Sequence, residues 1–298
     1  MLLAPRSAFI VLGSNRRQFY SVSAVVLLLA RCSIAQPITG LPSSSVVSLF
    51  NGTNLQGFYT WLVDSRYDDP RKVFSVTNGM GRISGEGLGY LATRQAYGNY
   101  RLVTEFKWGP TNWYWGGRIG AARDSGIFLH ATGPDGNSHD GKGAFKTAIE
   151  CQVMQGAVGD LLLIRGTNSL GQVIAPSLMA TVAERNDSEG WPYWARSAGR
   201  SHPIVRWGRL NWFGKDPQWQ DKLGFRGRSD IESSENEWTR VECVCESNRV
   251  SVFVNGTLVN QASEVFPSTG QILLQCEGSE IYFRKLELHP LTKSVRQE

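Results

Sequence analysis

From Val46 onward the chain is cut into short runs that a helix cannot use. Apolar and polar residues alternate for a few positions and are then stopped by Gly, Asn, Pro or Asp. VVSLF ends at Asn51-Gly52, the two runs of FSVTNGMGRIS meet at Asn78-Gly79, and RVSVFVNGTLVNQA folds about Asn255-Gly256. Asn-Gly accepts the positive φ that tight hairpins require. GYLAT, YRLVTEFKW, RVECVCE, QILLQCEG and IYFRKLELHPL continue the pattern. No stretch beyond residue 35 sustains a helical period. Many short strands at close spacing predict an all-β sandwich or barrel.

The first 35 residues read differently. Asn15-Arg16-Arg17-Gln18-Phe19-Tyr20 is a twin-arginine pair followed by an aromatic, and the apolar run Val22–Ala30 comes next. That run is too short to span a bilayer and has the length of a signal core. Ser33-Ile34-Ala35 offers small residues for cleavage. The expected organisation is a twin-arginine type signal peptide over 1–35, a lead-in over 36–45, one domain over 46–292 and a tail over 293–298. The leader holds four of the 31 Lys and Arg side chains and no acid, which leaves 27 basic against 26 acidic groups in the remainder. A balance so near zero gives no reason to expect nucleic acid as a partner. No apolar run beyond Ala35 is long enough to cross a membrane as a helix.

Four cysteines follow the leader: Cys151, Cys243, Cys245 and Cys276. Cys243 and Cys245 lie two apart on one strand and point the same way, so they do not suit each other as partners. Either Cys276 bridges to one of them or all four are buried thiols. Their spacing fits no zinc motif.

Chemistry concentrates between Arg123 and Arg165. RDSGIFLHATGPDG leads through a Gly-rich tip to KTAIECQVMQGAVGDLLLIRG. Strand alternation puts Asp124, Gly126, Phe128 and His130 on one face, and Glu150 and Gln152 on one face of the later run. Ionisable groups in the middle of a sheet are costly unless they are paired or bind something. The structural alternative is a Glu150 paired with Arg123 or Lys146. A further segment, 183–236, has no sustained period and is rich in Gly, Pro, Arg and Trp, so it reads as a long loop insertion. Its rings include Trp191, Trp194, Trp207, Trp212 and Trp219, and Trp115 sits in a second aromatic loop. Such rings either stack on sugar faces or glue the insertion to the sandwich.

LFNGTNLQGF, WGGRIGAARDSGIFLH, TAIECQV, NEWTRVECVCESNRVSVFVNGTLVN and GQILLQCEGSEIYFRKLELHPL occur in this order between Leu49 and Leu291. Together they resemble the 3-keto-disaccharide (3-keto-glycoside) hydrolase family, formerly DUF1080. The resemblance implies a concanavalin A-like jelly-roll β-sandwich, of the LamG and glucanase type, carrying the long Trp-rich loop. It also implies export to the periplasm or exterior of a bacterium. The substrate it implies is a glycoside already oxidised to a ketone at sugar carbon 3. Proton abstraction at carbon 2 and β-elimination of the carbon 1 substituent would then cleave it. Such a site needs a base, a donor for the oxyanion and a proton source for the leaving oxygen.

In this reading Glu150 is the base. Asp124 and His130 either relay a proton or, with Glu150, hold a divalent metal, and no other cofactor is implied. Gln152 orients sugar hydroxyls, and Arg123 stabilises the enediolate. Asp160 is a supporting group or a turn residue. Trp115 and Trp194 wall the site, Glu277 or Glu280 lines it, and Arg226 or Arg228 clamps hydroxyls. His130 stands where the family often has Arg, a departure that bears on any clamping role there. The competing reading is a lectin-like glycan-binding module without chemistry. An ordinary retaining glucanase is a third, but its Glu-x-Asp-x-x-Glu run is absent.

Overall fold

Alternation along the strands sorts side chains to two faces, and in this computed structural model the sorting builds two packed antiparallel sheets. The structure describes residues 37–39, 45–113, 118–205 and 207–291. All of these lie within the unit Ala35–Glu298. Every named element among them is a strand.

The first sheet has seven strands, in the order β17 (Arg209–Leu210), β11 (Leu161–Ile164), β10 (Thr147–Met154), β9 (Asp124–Thr132), β21 (Gln271–Glu277), β6 (Leu88–Thr93) and β3 (Phe58–Leu62). The second runs β15 (Pro192–Trp194), β14 (Ser177–Asn186), β20 (Thr257–Phe266), β19 (Arg249–Val254), β18 (Thr239–Glu246), β8 (Tyr100–Asn112), β22 (Ser279–His289), β5 (Met80–Ile83) and β4 (Phe74–Thr77). Onto it β16 (Arg200–Val205) adds beside β14, and β2 (Val47–Ser48) beside β22. Two small ribbons, β1 (Pro37–Thr39) with β7 (Ala96–Gly98) and β12 (Gly166–Thr167) with β13 (Val173–Ile174), complete the described elements.

The chain passes repeatedly between the sheets, as from β20 to β21 to β22, and this is the jelly-roll sandwich. Ile127, Leu129, Ile149, Cys151 and Val153 of the first sheet share one buried cluster with Leu102, Phe106, Val241, Cys243 and Val252 of the second. Burial of such side chains from both sheets supplies the main stabilising free energy, at roughly 25 cal/mol per Å². Cys151, Cys243, Cys245 and Cys276 are buried free thiols. Bridges from Cys276 are therefore not formed.

The segment 183–236 is only partly a loop. β14 extends to Asn186, and β15, β16 and β17 all lie within the segment. β14 pairs with β16 from Ser177 opposite Val205 to Val182 opposite Arg200. Pro192 and Pro203 obscure these strands in the sequence, because proline is tolerated only at strand starts and edges. The rest of the segment packs through its rings. Trp212 is fully buried, and Trp219 Nε1 donates to the Gln155 carbonyl at 2.9 Å.

Candidate active site

The β9–β10 hairpin sets the outer face of the seven-stranded sheet. Glu150 pairs with Phe128, Gln152 with Gly126, and Met154 with Asp124. On the other side of β9, Leu273 pairs with Phe128 and Leu274 with Ile127. Continued by alternation, that register stands Gln275 beside Gly126 and Glu277 beside Asp124. Asp124, Glu150, Gln152, Gln275 and Glu277 therefore converge around a residue with no side chain. A methyl group on Gly126 would force the Glu150 carboxyl out of its place.

The polar contacts are incomplete in an ordered way. Gln152 Nε2 donates to Asp124 Oδ1 and Gln275 Nε2 donates to Glu277 Oε2, each at 2.8 Å. Among the described residues, Glu150 Oε1, Gln152 Oε1 and Gln275 Oε1 are buried without a hydrogen-bond partner. Buried polar atoms left open cost about 1–3 kcal/mol each, so three on one face point to a ligand that completes them.

The three carboxyl groups hold protons more tightly than free acids do. Burial pushes Glu150 well up, and the charges of Asp124 and Glu277 add to it. Burial and Glu277 push Asp124 well up, against the nearby Arg118. Glu277 is raised to about 7, chiefly by burial. Arg118 reaches Asp124 Oδ2 at 3.3 Å and Asp221 Oδ2 at 2.9 Å, and so ties the long segment to the cluster.

Asp160 is completely buried. It accepts from Arg209 Nε at 2.8 Å, Arg209 Nη2 at 2.6 Å and the Trp212 backbone N–H at 2.7 Å, with Lys215 Nζ 3.3 Å away. It thus supports neighbouring groups. Farther along the same face, Asp135 accepts from Tyr59 at 2.6 Å, Tyr90 at 2.8 Å and Tyr67 at 2.9 Å and pairs with Lys146 at 3.2 Å. Lys146 pairs with Asp135 and Arg123 donates to the Gly109 carbonyl, so the structural pairing expected for Glu150 is not what these cations make.

Several expected site residues stand elsewhere. β9 carries an extra residue near His130: its register shifts against both neighbours there, and His130 has φ 57°. The bulge reverses the alternation. The His130 ring consequently meets Tyr100 of the opposite sheet at 5.8 Å, and its Nδ1 contacts the Pro267 carbonyl at 2.9 Å. Burial lowers it to about 4, so it is neutral. It does not share the Glu150 face, and a metal set of Asp124, His130 and Glu150 does not fit. Among the described residues no group of three or more His, Cys, Asp and Glu side chains could hold a metal ion.

Arg123 turns to the Gly109 carbonyl instead of the site. Trp194 is buried in the core, edge-on to Phe213 at 6.3 Å. Glu280 belongs to the other sheet, paired with Arg82 at 2.6 Å. Arg226 is held by Asp230 and by the Glu232 carbonyl. Arg228 is exposed, and its backbone N–H closes a turn on Asp216. Trp115 lies outside the described residues.

The sequence does not single out Arg118, Arg209 or Gln275. Gln275 had a signal, since it sits in the QILLQCEG strand two positions before Glu277 and so shares its face. The arginines had none, because they lie in turn-rich stretches.

Residues 45–289 match the model of a family described as a 3-keto-alpha-glucoside-1,2-lyase-like domain. A search of curated proteins found no match. Among solved structures, a provisionally named glycosyl hydrolase from Parabacteroides distasonis is 16% identical with a TM-score of 0.45, covering 83% of this chain and 94% of that one. The Bacillus licheniformis β-glucanase is 12% identical with a TM-score of 0.41, covering 84% and 99%. The carbohydrate-binding module CBM66 from Bacillus subtilis is 11% identical with a TM-score of 0.36, covering 78% and 96%. At such values these likenesses carry no argument about activity.

Proposed function

The chain belongs to the 3-keto-alpha-glucoside-1,2-lyase-like family, and from that premise we propose that this carbohydrate-active domain cleaves 3-keto-glycosides at carbon 1. One observation carries the reading. Glu150, with an unpartnered oxygen, stands beside two other carboxyl groups over the bare Gly126, and burial raises all three. A surface that only binds glycans needs rings and hydroxyl partners, with no call for three carboxyl groups of perturbed acidity.

In the reaction the ketone at carbon 3 acidifies the hydrogen on carbon 2. In its ionised form Glu150, made a stronger base by burial, takes that proton, and the C–H electron pair forms an enolate over carbons 2 and 3. As the enolate collapses, the carbon 3 carbonyl returns, a double bond forms between carbons 1 and 2, and the bond from carbon 1 to its oxygen breaks. The leaving oxygen takes a proton from Asp124 or Glu277, both of which burial makes weaker acids. Water added across the new double bond gives net hydrolysis. The open carbonyl oxygens of Gln152 and Gln275 accept sugar hydroxyls and orient the ring.

Export through residues 1–35 is part of the proposal, and cell fractionation with N-terminal sequencing checks it. The reaction is tested by incubating the protein with a 3-keto-glucoside, with and without chelator, and following the aglycone. Release that ignores chelator is expected. Glycan binding without release would overturn the enzymatic reading in favour of a lectin-like module.

A further inference from the structure

The elimination builds negative charge on the carbon 3 oxygen, and Glu150 cannot stabilise it. A cation or a set of donors aimed at that point is required. Among the described residues most nearby cations are turned elsewhere. Arg118 is spent on Asp124, Asp221 and the Ala122 carbonyl. Arg123 donates to the Gly109 carbonyl, and Lys146 to Asp135 and Gln271. Lys215 contacts Asp160 and donates to Asn211.

Arg209 differs. It pairs with Leu162, and Leu162 pairs with Glu150, so the three lie in one row across the outer face of the sheet. Paired residues on antiparallel strands share a face, and two strand spacings separate Arg209 from Glu150 by about 10 Å between backbones. Leu162, between them, is partly exposed, whereas Glu150, Phe128 and Leu273 in the same row are buried. The row therefore opens at Leu162, with an acid on one side and a guanidinium on the other.

The guanidinium is also rigid. Asp160 holds Nε and Nη2, while Nη1 donates to no protein group among the described residues. The Trp219 ring centroid lies 5.8 Å from its Cζ. Its charge already acts on the site, since Arg209 opposes the rise of both Glu150 and Asp124.

We infer that Arg209 is a catalytic residue whose free Nη1 edge binds the carbon 3 oxygen of a substrate seated over Leu162, opposite Glu150, and stabilises the enolate. Asp160 is its positioning residue. This rests on the function proposed above and assigns the step that function left without a donor. No atom is transferred by Arg209: the proton goes to Glu150, the charge rests on the oxygen, and the guanidinium stays protonated throughout.

Because the interaction strengthens as charge develops, its loss reads in kcat more than in KM. Arg209→Gln is expected to lower kcat on a 3-keto-glucoside by about 10²- to 10³-fold, with KM within about threefold of wild type. The double variant Arg209→Gln with Asp160→Asn removes both buried charges together. It should show the same loss of kcat while keeping its thermal transition. Guanidinium at millimolar concentration should restore part of the turnover of Arg209→Ala. If the wild-type chain does not cleave the substrate, the proposed function fails and this role fails with it. If wild type cleaves and the double variant folds with kcat within about threefold of wild type, only the role of Arg209 is overturned.

Discussion

Both sheets carry carboxyl groups on the outward faces of their strands, and the two faces treat them in opposite ways. On the eleven-stranded sheet Glu105 lies 2.6 Å from Arg284 and 3.5 Å from both Arg240 and Lys285. Glu242 lies 2.7 Å from Arg240 and 2.5 Å from Arg101. Burial works against both acids, yet these partners hold both below the usual carboxylate range. On the seven-stranded sheet, Glu150, Asp124 and Glu277 crowd together and are raised. The residue type and the strand setting are alike. What differs is whether cross-strand neighbours supply cations. A sheet face that neutralises its acids behaves as a structural surface, whereas one that leaves them crowded sets them apart as candidates for chemistry.

The comparison can be tested from its strongest consequence to its weakest. Glu150→Gln should lower turnover of a 3-keto-glucoside by about 10²- to 10⁴-fold, the span of a lost general base. Its thermal transition should hold or rise, because a buried acid with an open oxygen is removed. Retained turnover in a folded variant would break the contrast at its centre. Gly126→Ala pushes a methyl group into the Glu150 carboxyl. It should reduce turnover on the order of 10²-fold by misplacing the base. It should also cost about 1–3 kcal/mol in chemical denaturation, as overpacking does.

Glu277→Gln reads the pH dependence. With Glu277 raised to about 7 in the folded state, the folded chain binds its proton more tightly than the unfolded chain. Its contribution to stability is complete below the ordinary Glu range near pH 4.5 and is lost as pH rises through about 7. The variant should therefore flatten the fall of the thermal transition between those values. Glu105→Gln is expected to have the smallest effect, about 1 kcal/mol, because its partners are partly exposed. It should leave turnover unchanged. The contribution of Glu105, which is held low, should be present in neutral solution and disappear on acidification below the ordinary Glu range. The change each variant makes to the wild-type thermal transition should have opposite dependence on pH, and matching dependence would undo the distinction between the faces.

Alternation alone made Asp124 legible on a face of one strand and Glu150 with Gln152 on a face of another, and the family resemblance placed Glu277 among the candidates late in the chain. The failure of alternation at His130 has a definite cause. One extra residue in β9 reverses the pattern, and a bulge has no sure signature in IFLHAT, where no glycine marks it. The tryptophans of 183–236 also misled in part, since Trp194 and Trp212 are core residues whose burial depends on which strands lie opposite.

The sequence by itself determined the all-β class, the hairpins at Asn-Gly and the strands that hold the acids. These follow from local φ preferences and a two-residue period, which need no knowledge of distant partners. Only the tertiary structure decided which acids are left unpaired. Glu277 reaches Asp124 because β21, from the far end of the chain, pairs with β9. Arg209 faces Glu150 because β17 closes the edge beside β11. Charge pairing depends on a few ångströms between strands remote in sequence, and that separation is set when the sheets assemble.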